Sequence, residues 1–306
     1  MMTYCVIGGS GFLGRRVVRA LAREGHKVVS LDIHPHEELK EYGDQVVSAH
    51  LDLTKFEDTL AAFSTYRPQV VINLSYMLGD YPPRPAMRLN IYGMDNCFEA
   101  ARLCDIRRVV FASSIAVNGA QRHYGDRPIT EEDPTTPAKQ YAVHKVFNEW
   151  QAKEYREKHG MNITAVRLGN VAGIDKVIGS VDHVRCIAEP ARDKPVVLQH
   201  RDRMRSVIYV DDAAQVFSVI AQCAEPRHAI YNSGGETLSL GEIASMVQEQ
   251  IPQAAIDFDN DTGGEFERGA GAYRFSHERL QQEFGIIYAP YQERVADMIR
   301  LVRESL

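Results

Sequence analysis

A tyrosine and a lysine four residues apart, Tyr141 and Lys145 in the segment YAVHK, form the pair best suited to acid–base chemistry. A phenol is a poor base at neutral pH because its reference pKa is about 10. Residues at this spacing lie on the same face of a helix, one turn apart. An ammonium group so placed favours phenolate and lowers the pKa of the phenol. We therefore expect Tyr141 to exchange a proton with a substrate hydroxyl, with Lys145 as its activating group.

Two serines close the apolar segment RVVFASS, and a serine hydroxyl can hold a reacting oxygen by hydrogen bonding. Ser114 is the preferred candidate because it follows the predicted strand Arg108–Ala112, at the carboxyl end of a parallel sheet, where such folds bind ligands. Ser113 is the alternative, and a serine that only shapes the turn is the third interpretation. We predict Ser114, Tyr141 and Lys145 as the catalytic residues.

A glycine-rich segment, GGSGFLG, stands between a short apolar strand and a helix. Its glycines Gly8, Gly11 and Gly14 suit a tight turn, a close approach of the backbone to a pyrophosphate, and tight packing of helix on strand. The helix N-terminus, beside Phe12 and Leu13, then offers free N–H groups to the phosphates. The flanking strand and helix favour a dinucleotide site over a flexible glycine turn.

An acidic residue, Asp32, ends the second predicted strand. A carboxylate there accepts hydrogen bonds from both ribose hydroxyls of NAD and repels the 2′-phosphate of NADP. The residues that follow, from Ile33 to His36, include no arginine to receive that phosphate. We therefore predict NAD as the cofactor.

The elements that position these residues alternate between strand and helix through the first half of the chain. Several predicted strands are nearly continuous apolar runs, which suits a parallel sheet covered on both faces. Alternating strands and helices with short connections predict an α/β fold with a doubly wound parallel Rossmann sheet. The predicted strands are Tyr4–Ile7, Lys27–Leu31, Gln45–Ser48, Val70–Leu74, Arg108–Ala112 and Ile163–Leu168, and the predicted helices are Phe12–Glu24, Thr54–Ser64, Met87–Leu103 and Ala142–Lys158.

The pattern loosens after Gly173, where prolines interrupt shorter predicted elements. We expect residues 1–170 to form the NAD-binding domain, and residues 171–306 to form mostly a smaller C-terminal substrate-binding lobe, partly interleaved with the Rossmann sheet. The glycine-rich segment Thr262–Gly271 is predicted to be a surface loop. The predicted strands Val196–Leu198 and Val207–Val210 and the predicted helices Ser239–Glu249 and Gln292–Arg303 lie in this second half.

The composition restricts the classes of partner. The chain has 306 residues, of which 44% are hydrophobic, and a formal net charge of -6 at pH 7. A mildly acidic chain has no general attraction for nucleic acid or anionic membranes, so neither is an expected partner. We find no apolar run long enough to span a membrane and no signal peptide. The five cysteines are widely spaced and lack a CxxC pattern, which favours free thiols in the cytoplasm over disulfides or a metal site.

The motifs, in their order along the chain, resemble those of the extended short-chain dehydrogenases/reductases, and within them the NAD-dependent epimerase/dehydratase branch. The GxxGxxG glycines, the serine motif FASSIAVNG and the YxxxK pair carry this resemblance, which covers nearly the whole chain. The further matches are Asp52 and Leu53, Asn73, the segment Asn90 to Gly93, the RxxNxxG motif at Arg167, Asn170 and Gly173, and the segment RSVIYVDD that begins at Arg205.

The resemblance implies additional cofactor contacts. It implies that Lys145 hydrogen-bonds the nicotinamide ribose. The other residues that it assigns to the cofactor pocket are Asp52 and Leu53 around the adenine, Asn73 and Leu74 at the end of the fourth strand, and Asn90 at a helix start. It also implies a homodimer, formed through the helix Met87–Leu103 and the helix that carries Tyr141.

On the substrate side, the resemblance implies contacts at Ser114, Asn118, Asn170 and Arg205. Arg205 would contact a diphosphate, for which the bidentate geometry of arginine is well suited. Asn118 replaces the tyrosine of the common motif SSxxVYG. The residues before Arg205 are basic where the family usually has a Gly-Asp-Gly turn. The substrate is therefore a small molecule, either a nucleotide sugar or a free sugar, sugar acid or other polyol.

Three functions remain open. The leading hypothesis is an NAD-dependent nucleotide-sugar epimerase that oxidises a hydroxyl transiently. The second is a net NAD-dependent dehydrogenase of a non-nucleotide sugar, sugar acid or polyol, and the third is a regulator that senses NAD with an idle site. Dehydration is disfavoured because Ile115 and Ala116 stand where similar sugar dehydratases usually carry an Asp-Glu pair. No metal is expected.

Overall fold

The computed structural model describes residues 1–36, 42–79, 81–259 and 271–306. Its strands are β1 (Thr3–Ile7), β2 (Lys27–Asp32), β3 (Val46–His50), β4 (Val70–Asn73), β5 (Arg108–Ser114), β6 (Asn162–Leu168), β7 (Asn170–Ala172), β8 (Val196–Gln199), β9 (Met204–Tyr209), β10 (Ile230–Asn232), β11 (Glu236–Ser239) and β12 (Ile256–Asp259). Its α-helices are α1 (Gly14–Arg23), α2 (Phe56–Tyr66), α3 (Pro83–Met87), α4 (Met94–Leu103), α5 (Gln140–His159), α6 (Asp182–Ala191), α7 (Val210–Gln222), α8 (Leu240–Gln250), α9 (Glu278–Phe284) and α10 (Tyr291–Glu304). These are the elements of the residues that are described.

The largest sheet of the described residues has seven parallel strands in the order β10-β6-β5-β4-β1-β2-β3. The order reverses at β1, which lies between β4 and β2. Ligands of open α/β sheets bind outside the carboxyl ends of the strands at such a reversal. The doubly wound parallel sheet expected from the apolar runs is therefore confirmed.

Helices cover both faces of this sheet. On one face, α1 and α7 pack against each other and bury an apolar core that includes Val17 and Phe217. On the other face, α2, α4 and α5 bury a second core that includes Phe63, Phe98 and Phe111. Both α7 and β10 come from residues after 200. The later part of the chain therefore adds a strand to the main sheet and a helix to the layer packed on one of its faces.

The remaining elements build a smaller body beside the carboxyl ends of the sheet. The strands β7, β9 and β11 form a three-stranded sheet, and β8 pairs with β12. A separate apolar core joins α6, α8 and α10 to these strands. Because β7 follows β6 after a single residue, Gly169, this smaller body begins directly at the edge where ligands are expected.

Two predicted elements differ in the structure. The predicted helix Met87–Leu103 is broken, because a π-helical turn, Arg88–Gly93, separates α3 from α4. The predicted strand Val207–Val210 ends at Tyr209, and Val210 instead begins α7. The predicted loop Thr262–Gly271 lies outside the described residues except for Gly271. Within the described chain, no helix combines the length and apolar composition that crossing a bilayer requires.

Replacing Phe217 by alanine tests how far α7 contributes to the Rossmann layer. Phe217 is fully buried in the core shared with α1, so the cavity should lower the free energy of unfolding by about 3–5 kcal/mol. Ile287→Ala is the matched control, since Ile287 is 82% exposed and should change it by less than about 0.5 kcal/mol. Urea unfolding measures the change in the free energy of unfolding for both variants. Equal midpoints for the two variants would contradict this account of the core.

Candidate active site

A large cleft opens along the carboxyl ends of the parallel strands and encloses about 2320 Å³. Its walls combine the glycine-rich loop after β1, the turn after β4, the end of β5 and the start of α5. The smaller body contributes the segment after β7 and the residues that enter β9. The cleft therefore brings together the predicted cofactor loop, the predicted catalytic residues and part of the predicted substrate contacts.

The glycine-rich loop leaves no space for a side chain at Gly8 or Gly14. Gly8 has a φ of +76°, and a Cβ there would lie 2.9 Å from the backbone nitrogen of Ser75. A Cβ on Gly14 would overlap the carbonyl of Gly8, and Gly11 donates its N–H to that same carbonyl at 3.0 Å. These glycines line the cleft with Phe12 and Leu13, at the N-terminus of α1. The loop therefore fits a dinucleotide pyrophosphate, which needs a close backbone approach and a helix N-terminus.

The carboxylate of Asp32 lies against this loop. One oxygen accepts the backbone N–H of Ser10 at 3.2 Å, and the other accepts that of His34 at 3.0 Å. The hydroxyl of Ser10 in turn accepts the backbone N–H of His36 at 2.9 Å. Asp32 is thus oriented at the end of β2, where a carboxylate can receive ribose hydroxyls. The residues present fit NAD.

The cofactor contacts that the resemblance implied fall into two groups. Leu74 lies in the wall of the cleft. The other four, Asp52, Leu53, Asn73 and Asn90, are not among the wall residues of the described chain. Three of them accept local hydrogen bonds, Asp52 from Thr54, Asn73 from the N–H of Ser75 and Asn90 from the N–H of Met77, and Leu53 is buried in the core; their contact with the cofactor stays a prediction.

The two serines of β5 have different environments. Ser113 is buried and donates a 2.6 Å hydrogen bond to Glu149, whose carboxylate is also held by Arg167. Ser114 lies in the cleft together with Tyr141, the second residue of α5, and the hydroxyl of Ser114 lowers the pKa of Tyr141 by hydrogen bonding. The geometry thus supports Ser114, the preferred candidate, and assigns Ser113 to the connection between β5 and α5.

The ammonium of Lys145 is buried at the bottom of the cleft. It donates a 2.6 Å hydrogen bond to the carbonyl of Ala112, and it lies 3.2 Å from the ring centroid of Tyr76. The ring of Tyr76 also packs edge-on against that of Tyr141, with centroids 5.5 Å apart. Tyr76 was not among the predicted site residues. Its position three residues past the end of β4, at the same edge of the sheet as Ser114 at the end of β5, is the signal that would have found it.

Burial governs the titration of the predicted acid–base pair. It raises the pKa of Tyr141, and the hydrogen bond with Ser114 partly opposes this. It lowers the pKa of Lys145 well below the usual range, and the negative charge of Glu149 opposes this. The sequence led us to expect that Lys145 lowers the pKa of Tyr141. In the structure the larger effect is removal of both groups from water, which favours their uncharged forms.

The substrate side of the cleft is rich in cations. Arg205 is almost fully buried; its terminal nitrogens donate to the hydroxyl of Ser180 at 2.9 Å and to the carboxylate of Asp182 at 3.2 Å. Lys176 donates to the carbonyl of Val171 at 2.7 Å, and burial lowers its pKa to about 8, with a further contribution from the charge of Arg205. Both cations line the cleft, and Lys176 was not predicted.

The two predicted asparagines of the substrate side are placed differently. Asn170, in β7, lies in the wall of the cleft. Asn118 is fully buried behind it; its amide nitrogen lies 3.4 Å from the hydroxyl of Tyr124, and its backbone carbonyl accepts hydrogen bonds from Tyr124 and Thr136. Its side chain therefore supports the turn after β5 instead of facing a substrate.

Ion pairs connect the segment that carries Lys176 to the start of α1, directly after the glycine-rich loop. Asp175 forms ion pairs with Arg15 and Arg16 at the start of α1. The guanidinium of Arg16 also lies 5.0 Å from the ring centroid of Phe12. The described residues hold no group of three or more His, Cys, Asp or Glu side chains that could bind a metal ion.

Comparison with known proteins identifies the family. The model of the NAD-dependent epimerase/dehydratase family matches residues 4–234. Among curated relatives, a UDP-glucose 4-epimerase of Mycolicibacterium smegmatis is 30% identical over 56% of this chain and 57% of its own length. The L-arabinose 1-dehydrogenase (NAD(P)(+)) of Haloferax volcanii is 29% identical over 63% of this chain and 76% of its own length.

Solved structures share the fold. The UDP-glucose 4-epimerase of Thermus thermophilus, in complex with NAD, superimposes with a TM-score of 0.86 over the whole of both chains, at 24% identity. The family match covers the glycine loop, the strands of the main sheet and the Tyr141–Lys145 pair. The chain belongs to the NAD-dependent epimerase/dehydratase family and is an enzyme of the extended short-chain dehydrogenase/reductase type with NAD as its cofactor.

Proposed function

We propose that this enzyme transfers hydride at a hydroxyl group of a nucleotide sugar and acts as an epimerase. The observation that carries the proposal is the placement of Tyr141 in the cleft, together with Ser114 and one helical turn from Lys145. The glycine loop shares this cleft. A tyrosine beside a dinucleotide site is suited, in its phenolate form, to accept a hydroxyl proton while hydride leaves the same carbon.

Each residue has a distinct task. NAD, when bound, supplies the hydride acceptor, and it would be held by the glycine loop and Asp32. Ser114 orients the reacting hydroxyl by hydrogen bonding, and Tyr141 removes its proton and later returns it. Lys145 supplies the positive charge that makes proton loss from Tyr141 less costly. The buried cleft limits access of water to the oxidised sugar.

The cations of the cleft support an anionic substrate. Arg205 is buried and Lys176 is half-buried, and in the described part of the chain the ion pair found for these two cations is that of Arg205 with Asp182. Burial of an uncompensated cation is costly, so a phosphate or carboxylate of the substrate would stabilise this region. The cleft is large enough for a dinucleotide and a nucleotide sugar together, and a curated relative is a UDP-glucose 4-epimerase.

A net dehydrogenase is the second candidate function, and one contact favours it. The terminal nitrogens of Arg205 already bind Ser180 and Asp182, so a diphosphate would have to displace Asp182. A neutral free sugar or polyol would leave this ion pair intact. The relative named L-arabinose 1-dehydrogenase (NAD(P)(+)) agrees with this alternative.

We also propose a homodimer formed through α5. Val143, Phe147 and Trp150 lie on one stripe of this helix and are 49%, 42% and 52% exposed. Tyr92, in the neighbouring π-helical turn, is 61% exposed. Exposed apolar patches of this kind mark association surfaces, and a second copy presents the same patch. A cytoplasmic location remains a prediction, in keeping with the free state of all five cysteines.

Tyr141→Phe is the direct test of the proposed chemistry. The variant keeps the ring but loses the proton carrier, so kcat should fall by about 10² to 10⁴-fold while the Kd for NAD, measured by calorimetry, stays unchanged. Nucleotide sugars and free sugars are assayed with NAD by chromatography of products and by NADH absorbance. Isomerised product without accumulation of NADH supports the epimerase, and steady NADH formation supports the dehydrogenase. Turnover that survives Tyr141→Phe refutes both.

The pH dependence of kcat/KM tests the anionic substrate. Lys176 is cationic below its pKa of about 8 and neutral above it, so kcat/KM for an anionic substrate should fall by about tenfold as pH rises through 8. Lys176→Arg keeps the charge and should abolish this step, while Lys176→Met should show the low value at every pH. A neutral substrate is the control. An unchanged profile in Lys176→Arg would assign the step to another group.

Trp150→Glu tests the dimer. A carboxylate in the apolar stripe should convert the dimer to a monomer of 34.4 kDa, measured by light scattering after gel filtration. Lys153→Glu is the matched control, because Lys153 is an exposed charged residue of the same helix. The proposal fails if the unaltered protein is already monomeric, or if both variants keep the same mass.

A further inference from the structure

The ring of Tyr76 contacts both members of the predicted acid–base pair. The ammonium nitrogen of Lys145 lies 3.2 Å from the ring centroid, over the face of the ring. The ring edge meets Tyr141 at an interplanar angle of 88°. The face of an aromatic ring carries negative charge density, which attracts an ammonium group most strongly where water is excluded. Tyr76 is therefore placed to act on the charge state of Lys145.

Lys145 needs such a partner because it is only 2% exposed. An ammonium removed from water must be compensated by hydrogen bonds or charge. Its one described hydrogen bond goes to the carbonyl of Ala112. Without further compensation, the neutral amine would be favoured, and a neutral amine does not assist the loss of a proton from Tyr141.

The nearby carboxylate does not provide this compensation fully. Glu149 lies one turn after Lys145 on α5, but its two oxygens bind Arg167 at 2.9 and 2.8 Å and the hydroxyl of Ser113 at 2.6 Å. Its charge is thus largely balanced by Arg167. Among the described residues, the titratable or charged groups around Lys145 are Tyr141, His144 and Glu149 on α5, Arg167 on β6, and Tyr76 on the turn after β4.

The position of the Tyr76 ring is fixed by a buried amide network. Its hydroxyl donates to the side-chain oxygen of Asn148 at 3.2 Å. The amide nitrogen of Asn148 donates to the backbone carbonyl of Asn90 at 2.8 Å and to the side chain of Gln151 at 2.9 Å. Asn148 is fully buried and Asn90 belongs to the π-helical turn, so the ring is anchored to two rigid elements.

We propose that Tyr76 is a positioning residue, whose aromatic face holds the ammonium of Lys145 in its charged form beside Tyr141. Its effect on turnover rests on the proposed function, whereas its effect on Lys145 does not. Tyr76→Phe keeps the aromatic face and loses the hydrogen bond to Asn148. Replacement of Tyr76 by pentafluorophenylalanine keeps the shape of a phenyl ring and withdraws the negative charge from its face. These two variants separate electrostatics from packing.

The first experiment follows Lys145 itself in the protein without substrate. Lysine is labelled with ¹³C at Cε, and Lys145→Arg identifies the signal of Lys145. Relative to Tyr76→Phe, the pentafluoro variant should titrate about half to one pH unit lower. Equal titration of Lys145 in the two variants overturns the proposal, whether or not a substrate has been found.

The second experiment measures the pH profile of turnover. In the pentafluoro variant, the alkaline limb should move to lower pH because Lys145 loses its proton earlier. The acidic limb should move to higher pH because Tyr141 loses its activating charge. A residue that only fills space would lower kcat without moving either limb, and that result contradicts the proposal. If Lys145 shifts in the first experiment while no hydroxyl substrate is turned over, the proposed function fails and the role of Tyr76 stands.

Discussion

The site depends on one unfavourable arrangement, an ammonium group and a phenol buried side by side. Removal from water pushes both towards their uncharged forms, so the pKa of Lys145 falls and that of Tyr141 rises. Proton transfer from the substrate requires the charged forms, the phenolate of Tyr141 and the ammonium of Lys145. Among the described residues, the effect of burial on Lys145 is opposed by the carbonyl of Ala112, the ring of Tyr76 and the charge of Glu149, and its effect on Tyr141 is opposed by the hydroxyl of Ser114. The sheet serves to present these contacts to α5.

The connection between α5 and the sheet is itself electrostatic. Glu149 binds Arg167 of β6 through both oxygens and also accepts the hydroxyl of Ser113 of β5. Breaking such a buried pair by removing one partner leaves an uncompensated charge, whereas an intact pair contributes little net stability. Its value here is geometric, because it sets the height of α5 above β5 and β6. Because Glu149 is paired with Arg167, its carboxylate balances the charge of Lys145 less than an unpaired carboxylate would.

The features that could be predicted from the sequence are those encoded by short, local patterns. The apolar runs of β1, β4 and β5 identified a parallel sheet, and the strand–glycine–helix context identified the loop at Gly8, since each depends on neighbours in the chain. The π-helical turn at Arg88–Gly93 was missed because its extra hydrogen-bonding register has no compositional signature. Tyr76 and Lys176 were not predicted as site residues because their surroundings are formed by α5 and β9, which are distant from them in sequence. For Asn118 the error runs the other way. Its position in the serine motif predicted a substrate contact, but tertiary packing buries its side chain.

The charge balance around Arg205 bears on the choice between the two reactions. In the structure Asp182 occupies one terminal nitrogen of Arg205, and a carboxylate in that position competes with any anionic group of a substrate. A diphosphate carries more negative charge than one carboxylate, so it can replace Asp182, whose side chain is 38% exposed and readily hydrated. A neutral sugar has no such means of displacing it. An epimerase acting on a nucleotide sugar would therefore use Asp182 as a placeholder that leaves when the diphosphate arrives, whereas a dehydrogenase of a neutral sugar would keep it as a permanent partner.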